Sequence, residues 1–303
     1  MSDGLTGLRI DVCTFQGCRE GLPALLDLLR DRGISASIFV AMGPDRSGLA
    51  VRRFLRPGFL SKMVRSRAIG LYGWRTALYG TLLPAPRIAE RCAEIIRRAV
   101  REGHEVGVHS WDHARWQDRL DRLSRERVLD DYSRALDAFK KATGAPPDCA
   151  AAPAWFTNST ALCVQNDLPL RYASDCKGRG PFQPVVDGRP LRMPQVPSTL
   201  PSLDEVLGTG GVTAGTFHER VFRALKSGSP NVHTIHAEAE GRVHRASFEE
   251  FLDRAIAEGL RFVSLHRFLD ANRTALPMCP IVRGCVPGRA GAVSLQGKPL
   301  PCQ

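Results

Sequence analysis

No stretch of this 303-residue chain approaches the roughly 18 consecutive apolar residues needed to cross a bilayer. Met1 to Gly7 lack the charged start and apolar centre of a secretory signal. Cys-x-x-Cys pairs are absent, and the nine cysteines are scattered and odd in number. A disulfide framework is therefore not expected, and reduced thiols in a cytoplasmic protein are. There is no Walker loop, no Gly-x-Ser-x-Gly elbow and no internal repeat. Those absences set aside P-loop chemistry and the serine hydrolases. Gly208-Thr209-Gly210-Gly211 follows no convincing strand and reads as a turn. Not one acid occurs between Asp45 and Glu90.

What is present in that acid-free region is base. The chain carries 42 Lys and Arg against 31 Asp and Glu, a net charge of +11. Such an excess points to an anionic partner: nucleic acid, a phosphorylated substrate or an acidic membrane. Residues 51–83 hold Arg52, Arg53, Arg56, Lys62, Arg65, Arg67 and Arg75, interleaved with Phe54, Phe59, Trp74 and Tyr79. Apolar positions 51, 54, 55 and 59, 60, 63, 64 follow helical spacing, broken at Pro57-Gly58. This reads as a basic amphipathic insertion that docks on an anionic membrane surface. An ordinary packed surface helix is the plainer alternative. Nucleic acid is not expected, because no recognition fold accompanies the charge.

Elsewhere strand-like and helix-like segments alternate. Leu8–Val12, Ser37–Val40, Glu105–His109, Arg171–Ser174, Val232–Ile235 and Phe262–Leu265 read as strands. Leu22–Arg32, Ile88–Arg101, Arg125–Thr143 and Ser247–Glu258 read as helices, the last opened by a Ser247–Glu250 capping box. The alternation predicts one α/β domain over residues 1–275, a parallel sheet or barrel. Residues 276–303 read as an irregular Pro/Gly-rich tail. In such folds catalytic groups collect at the C-terminal ends of strands. Asp11, His109, Asp175 and His236 all fall there.

The most informative segment is Gly107-Val108-His109-Ser110-Trp111-Asp112-His113. His109 and His113 lie one helical turn apart as the chain leaves a strand, so two imidazoles can converge on one divalent metal. Ser110 stands where a zinc protease carries its general-base Glu. The base must come from elsewhere, and Asp11 on a short apolar strand is the candidate. A third piece lies far downstream in Val232-His233-Thr234-Ile235-His236-Ala237-Glu238. Asp112 reads as a partner of the ligands, His233 as a core histidine, and Glu238 and Glu240 as either a polar loop or substrate contacts.

Together Asp11-Val12-x-Thr14-Phe15, His109-Ser110-x-x-His113 and Thr234-Ile235-His236 resemble the polysaccharide deacetylase (NodB-homology) family. Leu71-Tyr72-Gly73-Trp74, Ser174-Asp175-Cys176 and Val282-Arg283-Gly284 extend the likeness to most of the chain. They resemble most the members that deformylate an undecaprenyl-phosphate-linked 4-deoxy-4-formamido-L-arabinose. The resemblance implies a distorted (β/α) barrel of about seven strands and a metal-dependent amide hydrolase of lipid A modification. Such an enzyme would be peripheral on the inner face of the cytoplasmic membrane. It implies Asp11 as base, His109 and His113 as metal ligands, His236 as general acid and Asp175 as the carboxylate that orients it. Two positions depart from the family pattern. Cys13 stands where an Asp ligand is expected, which makes Cys13, His109 and His113 a zinc-type set. Phe156 stands where a basic residue would steady the base. A deacetylase of a soluble sugar amide, or a sugar-lipid binding protein impaired by Cys13, are the alternatives.

Overall fold

The structure, a computed structural model, describes residues 5–49, 73–226, 229–273, 276–289 and 291–300. Residues 51–72 of the basic insertion therefore lie outside the described residues. Eleven strands are described. They are β1 (Leu5–Val12), β2 (Ser37–Val40), β3 (Glu105–Val108), β4 (Cys149–Ala150), β5 (Tyr172–Ala173), β6 (Gln183–Val186), β7 (Arg189–Pro190), β8 (Asn231–His236), β9 (Arg261–Val263), β10 (Met278–Gly284) and β11 (Val293–Gln296).

A parallel sheet runs in the order β5-β4-β3-β2-β1-β8. β9 adds to the start of β1, pairing Leu5–Gly7 where β2, which pairs Arg9–Val12, leaves that edge free. The sheet curls into an incomplete barrel, and an extended segment fills the gap between its edges. The Val196 N–H donates to the Ala173 carbonyl on β5, and the Thr199 N–H donates to the Val232 carbonyl on β8. The distorted barrel expected from the resemblance is thus the architecture found.

β1 is buried along almost its whole length, as a parallel strand covered on both faces must be. Side chains alternate across a strand. Leu8, Ile10 and Val12 join the main core, with Leu22, Leu25 and Leu26 of the following helix. Arg9, Asp11 and Cys13 then share the opposite face, toward the barrel interior. Close packing fixes the rim beside it. A Cβ on Gly241 would lie 2.5 Å from the Gly21 carbonyl oxygen, so two π-helical turns, Gly17–Gly21 and Ala239–Val243, meet backbone to backbone.

Two local expectations are corrected. The stretch from residue 276, read as irregular, contains β10 and β11, which join β6 and β7 in a second sheet of order β11-β10-β6-β7. Cys279, Val293 and Ser294 are fully buried there. The helix expected from Ser247 begins at Arg245, and the Ser247 hydroxyl bonds His218 Nδ1 at 2.8 Å instead of capping it. Among the described residues no helix is long and apolar enough to cross a membrane.

Candidate active site

Strand pleating puts Arg9 and Asp11 side by side. Arg9 Nε and Nη2 each donate to an Asp11 carboxylate oxygen at 2.7 Å. Its Nη1 donates to the Ser174 carbonyl at 2.5 Å and the Ser174 hydroxyl at 2.9 Å. The guanidinium lies between the rings of Phe39 and Trp155, 5.3 and 5.7 Å from their centroids. Burial pushes the Asp11 pKa up, but Arg9, with smaller help from His109 and His236, holds it below the ordinary carboxylate value.

Cys13, His109 and His113 come together as the sequence suggested. Each offers one ligand atom, and these atoms lie within 4.8 Å of one another. The His109 Nδ1 sits 2.9 Å from the Ala151 carbonyl oxygen. A carbonyl only accepts, so Nδ1 carries the proton and Nε2 presents a lone pair. That Nε2 is buried with no hydrogen-bond partner, 3.9 Å from Asp11 Oδ2. Burial drives the His109 pKa down to about 4, which keeps the ring neutral. An orphaned imidazole lone pair converging with a thiol and a second imidazole fits a divalent cation, and the donor set is one that zinc accepts.

The supports of these ligands are visible. Asp112 caps the helix His113–Arg119 by accepting from the Arg115 N–H, and its other oxygen meets Arg46 Nη1 at 2.5 Å. It thus shapes the helix that His113 opens. Buried Asp131 accepts from the Trp111 and Asp112 N–H groups, and Ser110 takes the left-handed conformation at φ 66°. Glu238 makes contacts of the loop kind. Its Oε1 accepts from the Cys13 and Thr14 N–H groups at 2.9 and 2.8 Å, holding the loop that carries Cys13.

Across the sheet, β8 places His236 in register with Asp11. Its Nδ1 lies 3.5 Å from Asp204 Oδ1. Burial lowers the His236 pKa, but Asp204 and then Asp11, Glu240 and Glu238 outweigh it and raise the net value. The buried Glu240 accepts from the His236 N–H at 2.9 Å, and burial raises its own pKa to about 7. Asp175 is not the carboxylate beside His236. It accepts from the Ala152 N–H at 2.7 Å and from Gln195 Nε2 at 2.9 Å, bracing the loop before Trp155. Ala154 and Trp155 there both take left-handed φ, 60° and 50°. The Trp155 Nε1 donates to Ser198, whose hydroxyl meets that of Thr234 on β8 at 2.7 Å.

Three groups escaped the sequence reading. Arg9 does what was expected of a base after Trp155, and its signal was available: it shares a strand face with Asp11 two residues on. At the expected position Phe156 instead carries the Arg283 guanidinium, 3.6 Å from its ring centroid. Asp204 had a weaker signal, the Ser202–Glu205 capping box that starts its helix. The Ala151 carbonyl had none.

The polysaccharide deacetylase family model matches residues 6–173. A protein of Shewanella sediminis named "Probable 4-deoxy-4-formamido-L-arabinose-phosphoundecaprenol deformylase ArnD" is 37% identical over 290 residues, 96% of this chain and 94% of that one. A protein of Wigglesworthia glossinidia brevipalpis with the same name is 32% identical over 284 residues, 93% of this chain and 99% of that one. A solved structure of a probable polysaccharide deacetylase from Pseudomonas aeruginosa superposes with a TM-score of 0.62, at 14% identity, over 90% of this chain and 92% of that one. By the family model and these relatives, this chain belongs to the polysaccharide deacetylase family and is a hydrolase of linear amide C–N bonds.

Proposed function

We propose that the protein removes the formyl group from undecaprenyl-phosphate-linked 4-deoxy-4-formamido-L-arabinose, the substrate its relatives' names carry. One observation carries the catalytic part. Asp11 and His236, an acid held ionised and a histidine held basic, face each other across adjacent strands beside Cys13, His109 and His113. Those three residues would hold the metal, most fittingly zinc. It would supply Lewis acidity toward the amide carbonyl and the attacking water.

The chain's own residues divide the proton work. Water adds to the formyl carbon and gives a proton to Asp11. The C–N bond breaks as His236 protonates the leaving nitrogen, so that formate and the free amino sugar result. Arg9 holds Asp11 in place. Asp204 orients His236 through Nδ1, which leaves Nε2 for the substrate; Asp175 braces the Trp155 loop. Residues 51–83 bring the enzyme to the anionic membrane face where a polyprenyl substrate resides.

Formate release from the lipid-linked formamido sugar tests this reading. Asp11→Asn and His236→Ala should each lose about 10²–10⁴-fold in kcat, and His109→Ala should lose bound metal. Either acid–base variant working within about twofold of wild type would remove that residue from its role. Preferential release of acetate from an acetamido sugar lacking the lipid would favour a soluble-sugar deacetylase.

A further inference from the structure

A pocket that the hydrolytic chemistry does not use begins two residues past Cys13. Phe15, Gln16, Arg19, Trp74, Arg75 and Tyr79 line it. Phe15 follows Cys13 by two residues, so their Cα atoms are at most about 7.6 Å apart. Its walls are aromatic: Phe15 and Tyr79 meet edge to face at 6.4 Å, and Trp74 is 64% exposed. Cations surround those walls. Arg19 and Arg91 stand 5.5 and 5.9 Å from the Phe15 ring, and Arg75 stands 5.6 Å from the Trp74 ring.

Of the two arginines that line the pocket, one is ion-paired. Glu20 ion-pairs with Arg19 at 2.9 Å and with Arg242 at 3.1 Å, one acid between two bases. Among the described residues, Arg75 and Arg91 have no carboxylate at ion-pair distance. The floor is built rather than accidental. A Cβ on Gly73, whose φ is +82°, would strike Gln16 Oε1 at 2.1 Å, and Thr76 Oγ1 donates to that oxygen at 3.2 Å.

We propose that this pocket binds the phosphate and the first isoprenoid units of a polyprenyl-phosphate carrier. The proposal rests on the substrate reading above. A sugar joined to its carrier through phosphate must place that phosphate within one ring of the reacting amide, and Phe15 of the pocket lies two residues from Cys13. Guanidinium groups suit a phosphodiester anion. Aromatic faces suit an isoprenoid chain. A free sugar uses neither.

The probe is farnesyl phosphate, titrated against the full-length protein and followed by tryptophan fluorescence. Saturable quenching is expected, absent in Trp74→Phe, and shifted to about tenfold weaker affinity or more in Arg75→Glu. Farnesol and inorganic phosphate should each bind more weakly than the conjugate. Equal titrations for wild type and Arg75→Glu would overturn the proposal. So would inorganic phosphate matching farnesyl phosphate, which makes the pocket a simple anion site, or farnesol matching it, which makes it merely apolar. Turnover separates this from the functional reading. Arg75→Glu should raise KM for the lipid-linked sugar about tenfold while leaving hydrolysis of the lipid-free methyl glycoside within about twofold. If wild type releases formate from neither sugar but binds farnesyl phosphate as described, the functional reading fails and the pocket stands.

Discussion

Replacing Arg9 with Met tests the electrostatic design of the site. The guanidinium is fully buried and makes four hydrogen bonds, two to Asp11 and two to Ser174. Met keeps an apolar chain between the Phe39 and Trp155 rings but removes the charge. Asp11, 2% exposed, would then be a buried carboxylate without its bidentate partner. Removing one member of a buried ion pair typically costs about 3–5 kcal/mol. Urea unfolding of chelator-treated protein measures that cost free of the stabilisation a bound metal adds.

The decisive sample is the double variant. If the loss comes from the stranded carboxylate, Arg9→Met with Asp11→Asn should recover about 1–3 kcal/mol relative to Arg9→Met alone, the range of coupled neighbours. Asp11→Asn alone should cost less than Arg9→Met, because Arg9 retains its two bonds to Ser174. Should the double variant be no more stable than Arg9→Met, the cost lies in packing and the electrostatic account is wrong.

Three further outcomes follow from the geometry. Cys13→Asp should move metal preference from zinc toward harder ions such as manganese, read by competition of the two metals for the purified protein; an unchanged preference would remove Cys13 from the ligand set. Asp204→Asn should lower kcat about tenfold or more. It should also shift the alkaline limb of the pH profile to lower pH, since the carboxylate that raises the His236 pKa is gone; an unmoved limb leaves Asp204 with a structural role only. Finally, burial first, then neighbouring positive charge, depresses the pKa of His218 to about 4 and of His233 to about 3. Below about pH 6.5 the unfolded chain takes up protons the native state refuses, so stability falls about 1.4 kcal/mol per pH unit for each histidine until those values are reached. The slope between pH 6 and pH 4.5 should be visibly shallower in His233→Phe; equal slopes would show that His233 titrates alike in both states.

The parallel sheet was readable where strands are long and apolar. β1 and β8 carry enough residues for burial to show as pattern. β4 and β5 are two residues each, too short to have a period. β10 contains Pro280 and ends at Gly284, so locally it resembles a loop. Its pairing with β6, Cys279 against Pro184, joins segments far apart in sequence that no local rule connects. Ser247 shows the reverse failure. The capping pattern was present, but tertiary contact with His218 took the hydroxyl, as packing overrides local preference elsewhere in helices.

In the candidate site, Asp11, His109 and His236 were legible because their chemistry is rare at strand ends. The groups that hold them were not, because their partners come from other segments. Asp175 and Asp204 illustrate the limit. Both are acids downstream of the ligand loop, and only the path of the chain through the helix Leu203–Val206 decides which of them meets His236. Arg9 differs in kind. An arginine two residues before the base on the same strand has its position set by the pleat, with no loop to place it. That frees the Trp155 loop from steadying Asp11. Its left-handed Ala154 instead accepts a hydrogen bond from Arg289 at 3.0 Å, tying the C-terminal segment to the barrel mouth. With the base fixed from β1, the residue after Trp155 needs no charge of its own, and an aromatic Phe156 under Arg283 is compatible with an intact base.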